Sequence, residues 1–239
     1  MPSLHTVSAK LAAVFVAGSV VARLIEDSTD FSLRLVPGQV MTDFTLWQLV
    51  TFIPVDFSVM GVVFGAIVIW SMGGALESWW GRRRMFSVLA AVMLLTGPLT
   101  VGAAFLYSPM RHLPLTGGWA LAGSIWVLYG LYIGRGEANF WGIPMAGNSL
   151  AAIGVGFVAL QALVGRPQGV PLSLGIALVV PDALALAMCY GYMRWGSPRK
   201  LWVKVQSLWL ERQVRRRSRR LSVISGQRNM PSDSDRYLH

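Results

Sequence analysis

Residues 57–76 read FSVMGVVFGAIVIWSMGGAL, an apolar run without a charged residue. A helix rises about 1.5 Å per residue, so about 20 such residues cross the roughly 30 Å hydrocarbon core of a bilayer. The run therefore predicts a membrane-spanning helix.

Further apolar runs of similar length lie on both sides of this one. The six predicted spans cover residues 7–24, 57–76, 85–107, 116–133, 143–164 and 172–193. The connections after the second span are short, which favours antiparallel neighbours in one bundle. We expect an all-α polytopic membrane protein with six transmembrane helices. The sequence carries no internal repeat, so the inverted-repeat architecture of many secondary transporters is not supported.

The composition of the 239-residue chain agrees with this expectation, with 54% hydrophobic residues, 13% charged residues and a mean hydropathy of +0.53. These values exclude a disordered or nucleic-acid-binding protein as the description of the whole chain. The net charge of +10 is unevenly distributed, because more than half of the 21 Lys and Arg residues lie from Arg194 onward. A basic tail on an apolar body is typical of contact with a membrane surface.

We therefore place a transmembrane domain at residues 1–195 and a basic cytoplasmic tail at residues 196–239. Residues 202–209 set apolar side chains on one helical face, which predicts an amphipathic helix at the interface, followed by disordered chain. The tail arginines expected to contact anionic lipids are Arg215, Arg216, Arg217, Arg219 and Arg220. Nucleic acid is the less favoured partner of this tail.

The positions of Lys and Arg near the span ends predict the orientation. One side would hold Lys10, residues 82–84, Arg135 and the tail, whereas the other holds Arg23, Arg34, Arg111 and Arg166. We expect both termini in the cytoplasm and the protein in the plasma membrane or an inner membrane. The first span also resembles a signal peptide, and its removal would leave five spans.

Residues 26–55 are too polar to span the membrane and carry several large apolar side chains, so we expect them to lie folded at the interface.

The cysteines and histidines limit the possible chemistry. Cys189 is the only cysteine, and the histidines are His5, His112 and His239. This inventory excludes an internal disulfide and predicts no metal and no cofactor.

Asp182 is the clearest ionisable residue inside a predicted span, and such residues are costly in a membrane. It follows Pro181, which frees a backbone carbonyl and bends a helix. One interpretation is a binding or proton-relay site. The other is that Asp182 bonds a side chain or freed backbone of a neighbouring helix and fixes the packing. Asp56 is a weaker candidate at the start of the second span.

Glycines spaced by four residues predict close helix contacts. Gly61 and Gly65 form one such pair, and Gly130 and Gly134 form another. This pattern is common at helix interfaces in membranes.

Several segments together resemble the rhomboid family of intramembrane serine proteases. Trp47 to Thr51 is similar to the family's segment before the second span, and Glu77, Gly81 and Arg84 match its loop before the third. Residues 140–145 and the pair at residues 190–191 match its fifth and sixth spans. The resemblance implies a six-helix rhomboid-like bundle over residues 10–195.

The catalytic residues that the resemblance implies are absent. The serine position falls on Ala122, next to Gly123, and the histidine position falls on Val180. Serine is a poor nucleophile without an adjacent base. The positions of the oxyanion donors fall on Gly61 and Gly65, so these donors are missing too.

Three hypotheses follow from these residues. The first is an inactive rhomboid-like protein that binds transmembrane segments of client membrane proteins. The second is an active intramembrane protease with a displaced nucleophile, Ser124, beside Asp182. The third is a small transporter component that uses Asp182. An aspartate is a weak base for serine, which disfavours the second.

Overall fold

The computed structural model describes residues 6–29, 31–140, 142–165 and 171–196. These ranges contain helices and one β-hairpin. The helices are α1 Val7–Ser28, α2 Pro37–Thr42, α3 Gln48–Thr51, α4 Val59–Trp80, α5 Arg82–Leu106, α6 Gly118–Ile133, α7 Gly147–Val164, α8 Leu172–Leu178 and α9 Val180–Trp195, with a 3-10 helix at Ser108–His112. The hairpin strands are β1 Glu137–Phe140 and β2 Ile143–Ala146.

Four helices, α1, α4, α5 and α7, are long and apolar enough to cross a membrane. The bent pair of α8 and α9 gives a fifth candidate. The predicted six spans are not confirmed, because α6 has only 16 residues. At 1.5 Å per residue α6 is about 24 Å long, which is shorter than the hydrocarbon core. Glycines at both of its caps, Gly117 and Gly134, set this length.

The bundle is built around α4 and α6. Helix α1 packs against α4, α4 against α6, and α6 against α7. Every residue of α6 from Ala120 to Leu128 is buried. The main core includes the fully buried side chains of Phe15, Ile69 and Trp126. The short helix α6 is therefore the one that the others surround.

The start of the fifth predicted span is a β-strand. Residues 143–146 pair antiparallel with residues 137–140, with Glu137 opposite Ala146. Pro144 lacks the N–H that a helix interior needs, so α7 begins only at Gly147. The N–H of Asn148 donates to the carbonyl of Gly134 at 2.7 Å and fixes the start of α7 beside the end of α6.

Residues 29–58 connect α1 to α4 through two short helices, α2 and α3. The backbones of Leu35 and Leu115 form an isolated bridge that holds this segment against the connection between α5 and α6. The buried Gln48 side chain accepts a hydrogen bond from the Val36 N–H at 3.0 Å and donates one to Gln39 at 2.9 Å. A second apolar cluster, which includes Leu35 and Phe52, lies beneath the segment.

The sixth predicted span is broken. Helices α8 and α9 meet at Val179 with a bend of 54°. Pro181 lies in the first turn of α9, where its missing N–H breaks no helical bond. The break turns the first residues of α9, including Asp182, toward the start of α6.

The bundle belongs to the compact unit Met1–Arg194. The predicted interfacial helix and the tail arginines Arg215, Arg216, Arg217, Arg219 and Arg220 lie outside the described residues.

Candidate functional site

The N-terminus of α6 lies in a polar cluster inside the bundle. A helix begins with backbone N–H groups that have no partner within the helix. Here the N–H of Gly117 donates to the Phe52 carbonyl at 2.9 Å, and the N–H of Gly118 donates to the Val55 carbonyl at 3.0 Å. The N–H of Ala120 donates to the carboxylate of Asp182, which α9 supplies. Side chain and backbone from three segments therefore hold the start of α6.

Asp182 is deeply buried, with 3% of its surface exposed. Within the described ranges, its Oδ1 atom has no hydrogen-bond partner. A buried polar atom without a partner costs free energy. Asp182 lies in the first turn of α9 and beside the first turn of α6, and both helix N-termini favour negative charge.

Asp56 is a second acid near the same end of α6. Its backbone N–H donates to Ser19 Oγ at 3.1 Å, and its carboxylate accepts the Ser58 N–H at 2.8 Å. Burial raises the pKa of the Asp56 carboxyl, and the hydrogen bond from Ser58 partly opposes this rise. Asp56 lies close enough to Asp182 for the two acids to interact electrostatically. The site thus contains two acids from different segments.

A cavity of 330 Å³ opens beside Asp56, between the starts of α4 and α6 and the end of α7. Its lining includes Asp56, Phe64, Trp119, Phe157 and Gln161. Trp119, Phe157 and Gln161 were not predicted as site residues from the sequence. Of these residues, only Gln161 stands out in the sequence, as a polar residue within an apolar run. The cavity could not be predicted because helices distant in sequence form it.

A larger apolar groove of 970 Å³ lies on another side of α7. Its walls are α7 and α6 on one side and α8 and α9 on the other. The lining combines larger apolar side chains with alanines, and the alanines are Ala151, Ala152, Ala159, Ala162, Ala183 and Ala187. The polar lining residues are Asn148 and Tyr190, at the first turn of α7 and near the end of α9. The groove can therefore receive an apolar segment.

Ser124 and Asp182 are not brought together as a nucleophile and a base. Ser124 is fully buried in α6, and its hydroxyl lies against the thiol of Cys189. Cys189 follows Asp182 on α9 by two helical turns. The hydrogen bond that Asp182 accepts comes from Ala120, one turn before Ser124. This geometry does not provide a base for the Ser124 hydroxyl.

Glu77, a residue of the quoted loop motif, holds the N-terminus of α1. Its carboxylate accepts the N–H groups of Val7 and Ser8, each at 3.0 Å, and the Ser8 hydroxyl at 3.1 Å. Its ion-pair partner is Arg82 at 3.4 Å, not Arg84. Glu77 therefore joins α4 to α1.

The other motif residues also make structural contacts. Thr51 donates its hydroxyl to the carbonyls of Leu33 and Trp47, and Gly81 has a φ of 77° between α4 and α5. Arg84 donates to the Tyr192 hydroxyl at 3.2 Å. Trp47 stacks on Phe31 with ring centroids 5.6 Å apart.

The positions aligned with the catalytic pair lie on different helices. Ala122 is buried in α6 near Gly65, and Val180 is the first residue of α9. Gly123 lies within contact distance of Leu186 and Trp119. Within the described ranges, no group of three His, Cys, Asp or Glu residues could hold a metal ion.

The fold defines an integral membrane protein with several apolar helices. The chain belongs to the family described as Eukaryotic integral membrane protein (DUF1751), whose sequence model matches residues 9–195. No curated protein matches the chain. The predicted membership of the rhomboid family is wrong, because the family that matches almost the whole bundle is a different one. The motif residues that suggested it serve in helix contacts and turns.

Proposed function

We propose that this protein binds a transmembrane helix of another membrane protein in the groove between α7 and the α8–α9 pair. The main observation that supports this proposal is the apolar groove between these helices. It has a volume of 970 Å³, and half-exposed side chains such as Val155 and Ile176 line it. No Lys, Arg, Asp or Glu from the described ranges lines it, so it suits an apolar segment.

The size of the lining side chains supports a helix rather than lipid as the occupant. Alanines on both α7 and α9 leave room along the groove between its larger apolar side chains. Small residues allow two helix backbones to approach closely, which is how helices associate in membranes. A face that meets only lipid gains nothing from being small.

The arrangement of α7 also supports the proposal. Helix α7 packs along α6 and meets α8, while the groove separates it from the body of α9. A partner helix there would contact α7 and α9 on opposite sides and bury alanines such as Ala152 and Ala187. The binding energy would come from packing and not from water release, because lipid tails are as apolar as the groove.

Photocrosslinking from matched positions tests the proposal. A benzoylphenylalanine at Val155, in the groove, is compared with one at Val14, on α1. The two valines are 50% and 56% exposed, so they are equally accessible. We expect adducts with integral membrane proteins from Val155 and none above background from Val14. Equal protein adducts from both positions, or none from Val155, would contradict the proposal.

We further propose that both termini face the cytoplasm. The hydrogen bonds of Glu77 to Val7 and of Arg84 to Tyr192 support this, because they bring the start of α1 and the end of α9 to the same end of the bundle as residues 82–84. The test is a cysteine at Arg135. An impermeant maleimide should leave it unlabelled in intact cells and label it after the plasma membrane is opened. Labelling in intact cells would reverse the orientation.

We also retain as a proposal that the tail arginines bind anionic lipids. Each charge near such a surface contributes about 1 kcal/mol. Replacing the five arginines at residues 215–217, 219 and 220 by glutamine should weaken binding of the full chain to liposomes with phosphatidylserine, relative to liposomes of phosphatidylcholine alone. An unchanged preference would exclude this role. The predicted location in the plasma membrane or an inner membrane stays a prediction.

A further inference from the structure

The 330 Å³ cavity beside Asp56 combines an acid with aromatic side chains. Phe64, Trp119 and Phe157 line it, and their ring centroids lie 5.9 to 6.1 Å from one another. Gln161 and Ser58 supply further polar atoms. Aromatic rings attract cations through their quadrupole, and a carboxylate adds a full negative charge. The lining therefore favours a positively charged ligand with apolar substituents.

The charges around the cavity favour a cation that the described part of the chain does not supply. Two guanidinium groups, those of Arg23 and Arg34, lie over the ring of Phe57, next to Asp56. Both already form ion pairs, Arg23 with Asp27 and Arg34 with Glu26. Among the described residues, no Lys, Arg or His forms an ion pair with Asp56.

A second acid, Asp182, lies close enough to interact electrostatically with Asp56. The N-terminus of α6 offsets part of the negative charge of Asp56 through its backbone N–H groups, one of which donates to Asp182. Burial raises the pKa of the Asp56 carboxyl, and among the described residues no cation forms an ion pair with it that would lower this pKa. A bound cation would reverse this effect by stabilising the ionised form.

The position of the cavity limits the ligand further. Its walls come from the first turns of α4 and α6 and from the last turns of α7. The ends of membrane-spanning helices, here α4 and α7, lie near the headgroup region of the bilayer. The volume is at the small end of ligand sites, so the cavity suits one compact group.

We propose that this cavity binds an organic ammonium group, carried either by a lipid headgroup or by a free amine. Asp56 neutralises the charge, and Phe64, Trp119 and Phe157 contact the apolar substituents. The site is independent of the helix-binding groove, because Phe157 and Gln161 face the cavity while Val158 and Ala162 line the groove. The proposal can hold whether or not a partner helix binds.

The first experiment uses choline as the free ammonium. Equilibrium dialysis of the full chain in a maltoside detergent should give saturable binding of one choline. The uncharged isostere 3,3-dimethyl-1-butanol has the same shape and should bind at least about tenfold more weakly, since the charge carries the recognition. Equal binding of the two compounds would overturn the proposal.

Single variants test whether choline binds at Asp56 or at exposed acidic side chains in general. Asp56→Asn keeps an acceptor for the Ser58 N–H and should reduce choline binding about tenfold or more. Asp43→Asn removes an exposed acid outside the cavity and should leave binding unchanged. Phe157→Leu, at a partly exposed position, should weaken binding several-fold without unfolding the chain. Binding that survives Asp56→Asn would overturn the proposal.

The second experiment distinguishes the source of the ammonium. The unfolding temperature is measured in nanodiscs of phosphatidylcholine and of phosphatidylglycerol with the same acyl chains. If a lipid headgroup is the ligand, phosphatidylcholine stabilises the native chain and Asp43→Asn but not Asp56→Asn. If a free amine is the ligand, choline binds in dialysis and Asp56→Asn responds to the two lipids in the same way as Asp43→Asn. Failure of both choline and phosphatidylcholine would refute the site.

Discussion

The backbone N–H of Ala120 donates a hydrogen bond to the buried carboxylate of Asp182, so α6 begins on a side chain that α9 supplies. Capping of this kind is usually local, by a residue just before the helix. Here the residue before α6 is Gly117, which has no side chain to offer. The start of the central helix therefore depends on the bend between α8 and α9.

Replacing Asp182 should show this dependence. Asp182→Ala leaves the Ala120 N–H unpaired in the interior and should lower the free energy of unfolding by about 1–3 kcal/mol. Asp182→Asn keeps an acceptor and should cost less. Equilibrium unfolding in detergent measures both, with the exposed Asp43→Ala as the control. An Asp182→Ala variant as stable as the control would show that the contact does not matter.

Glu77 should be equally sensitive because three donors converge on it. Glu77→Ala removes the acceptor of the Val7 and Ser8 N–H groups and should cost about 2–3 kcal/mol. Hydrogen exchange at these two amides should accelerate more than elsewhere in α1. Asp27→Ala, which breaks an exposed ion pair on α1, should change stability by less than about 0.5 kcal/mol. Equal effects of the two variants would contradict this role for Glu77.

The free energy of unfolding should depend on pH through the ionisation of Asp56. Burial raises the pKa of Asp56 in the folded protein. The residue therefore contributes most to stability at low pH, where its carboxyl is protonated in both the folded and the unfolded protein. That contribution is lost as the pH rises from the ordinary aspartate value through the higher folded value. Asp56→Asn should therefore gain stability relative to the native chain as the pH rises. Unfolding measured from pH 3 to pH 8 tests this, and a constant difference across that range would contradict it.

Two glycines in the same bundle should respond in opposite directions to alanine. A Cβ at Gly130 would lie 2.6 Å from the Ala151 nitrogen and the Gly147 oxygen, so Gly130→Ala should push α6 and α7 apart. A Cβ at Gly156 would meet nothing within 4 Å, and Gly156→Ala should be neutral or stabilising by up to about 1 kcal/mol. Thermal unfolding of the two variants compares them directly. Similar losses in both would mean that helix contact is not the cause.

Much of the helical arrangement could be predicted from hydropathy, because a lipid-facing helix must be apolar over most of its length. The predicted spans at residues 7–24 and 57–76 overlap α1 and α4 closely. The length of α6 could not be predicted, since a buried helix and a spanning helix are equally apolar. The strand at residues 143–146 could not be predicted either, because apolar composition alone does not distinguish a strand from a helix.

The sites were less predictable than the helices. Asp182 could be selected because an acid in an apolar run is costly, but its partner could not, since any backbone N–H could serve. The cavity residues Phe157 and Gln161 lie about 100 residues after Asp56, and only the fold brings them together. The motif around Glu77 suggested the rhomboid family. In the structure Glu77 accepts the N–H groups of Val7 and Ser8 and so joins α4 to the start of α1.

The most direct test of helix binding is the yield of protein adducts from benzoylphenylalanine at Val155 when the opposite wall of the groove is filled. Ala187→Trp on α9 occupies the groove, whereas Ala91→Trp on α5 adds the same bulk at an exposed position outside it. We predict that Ala187→Trp abolishes the adducts and that Ala91→Trp leaves them unchanged. Adducts that persist in Ala187→Trp would contradict the proposal that the groove binds a transmembrane helix.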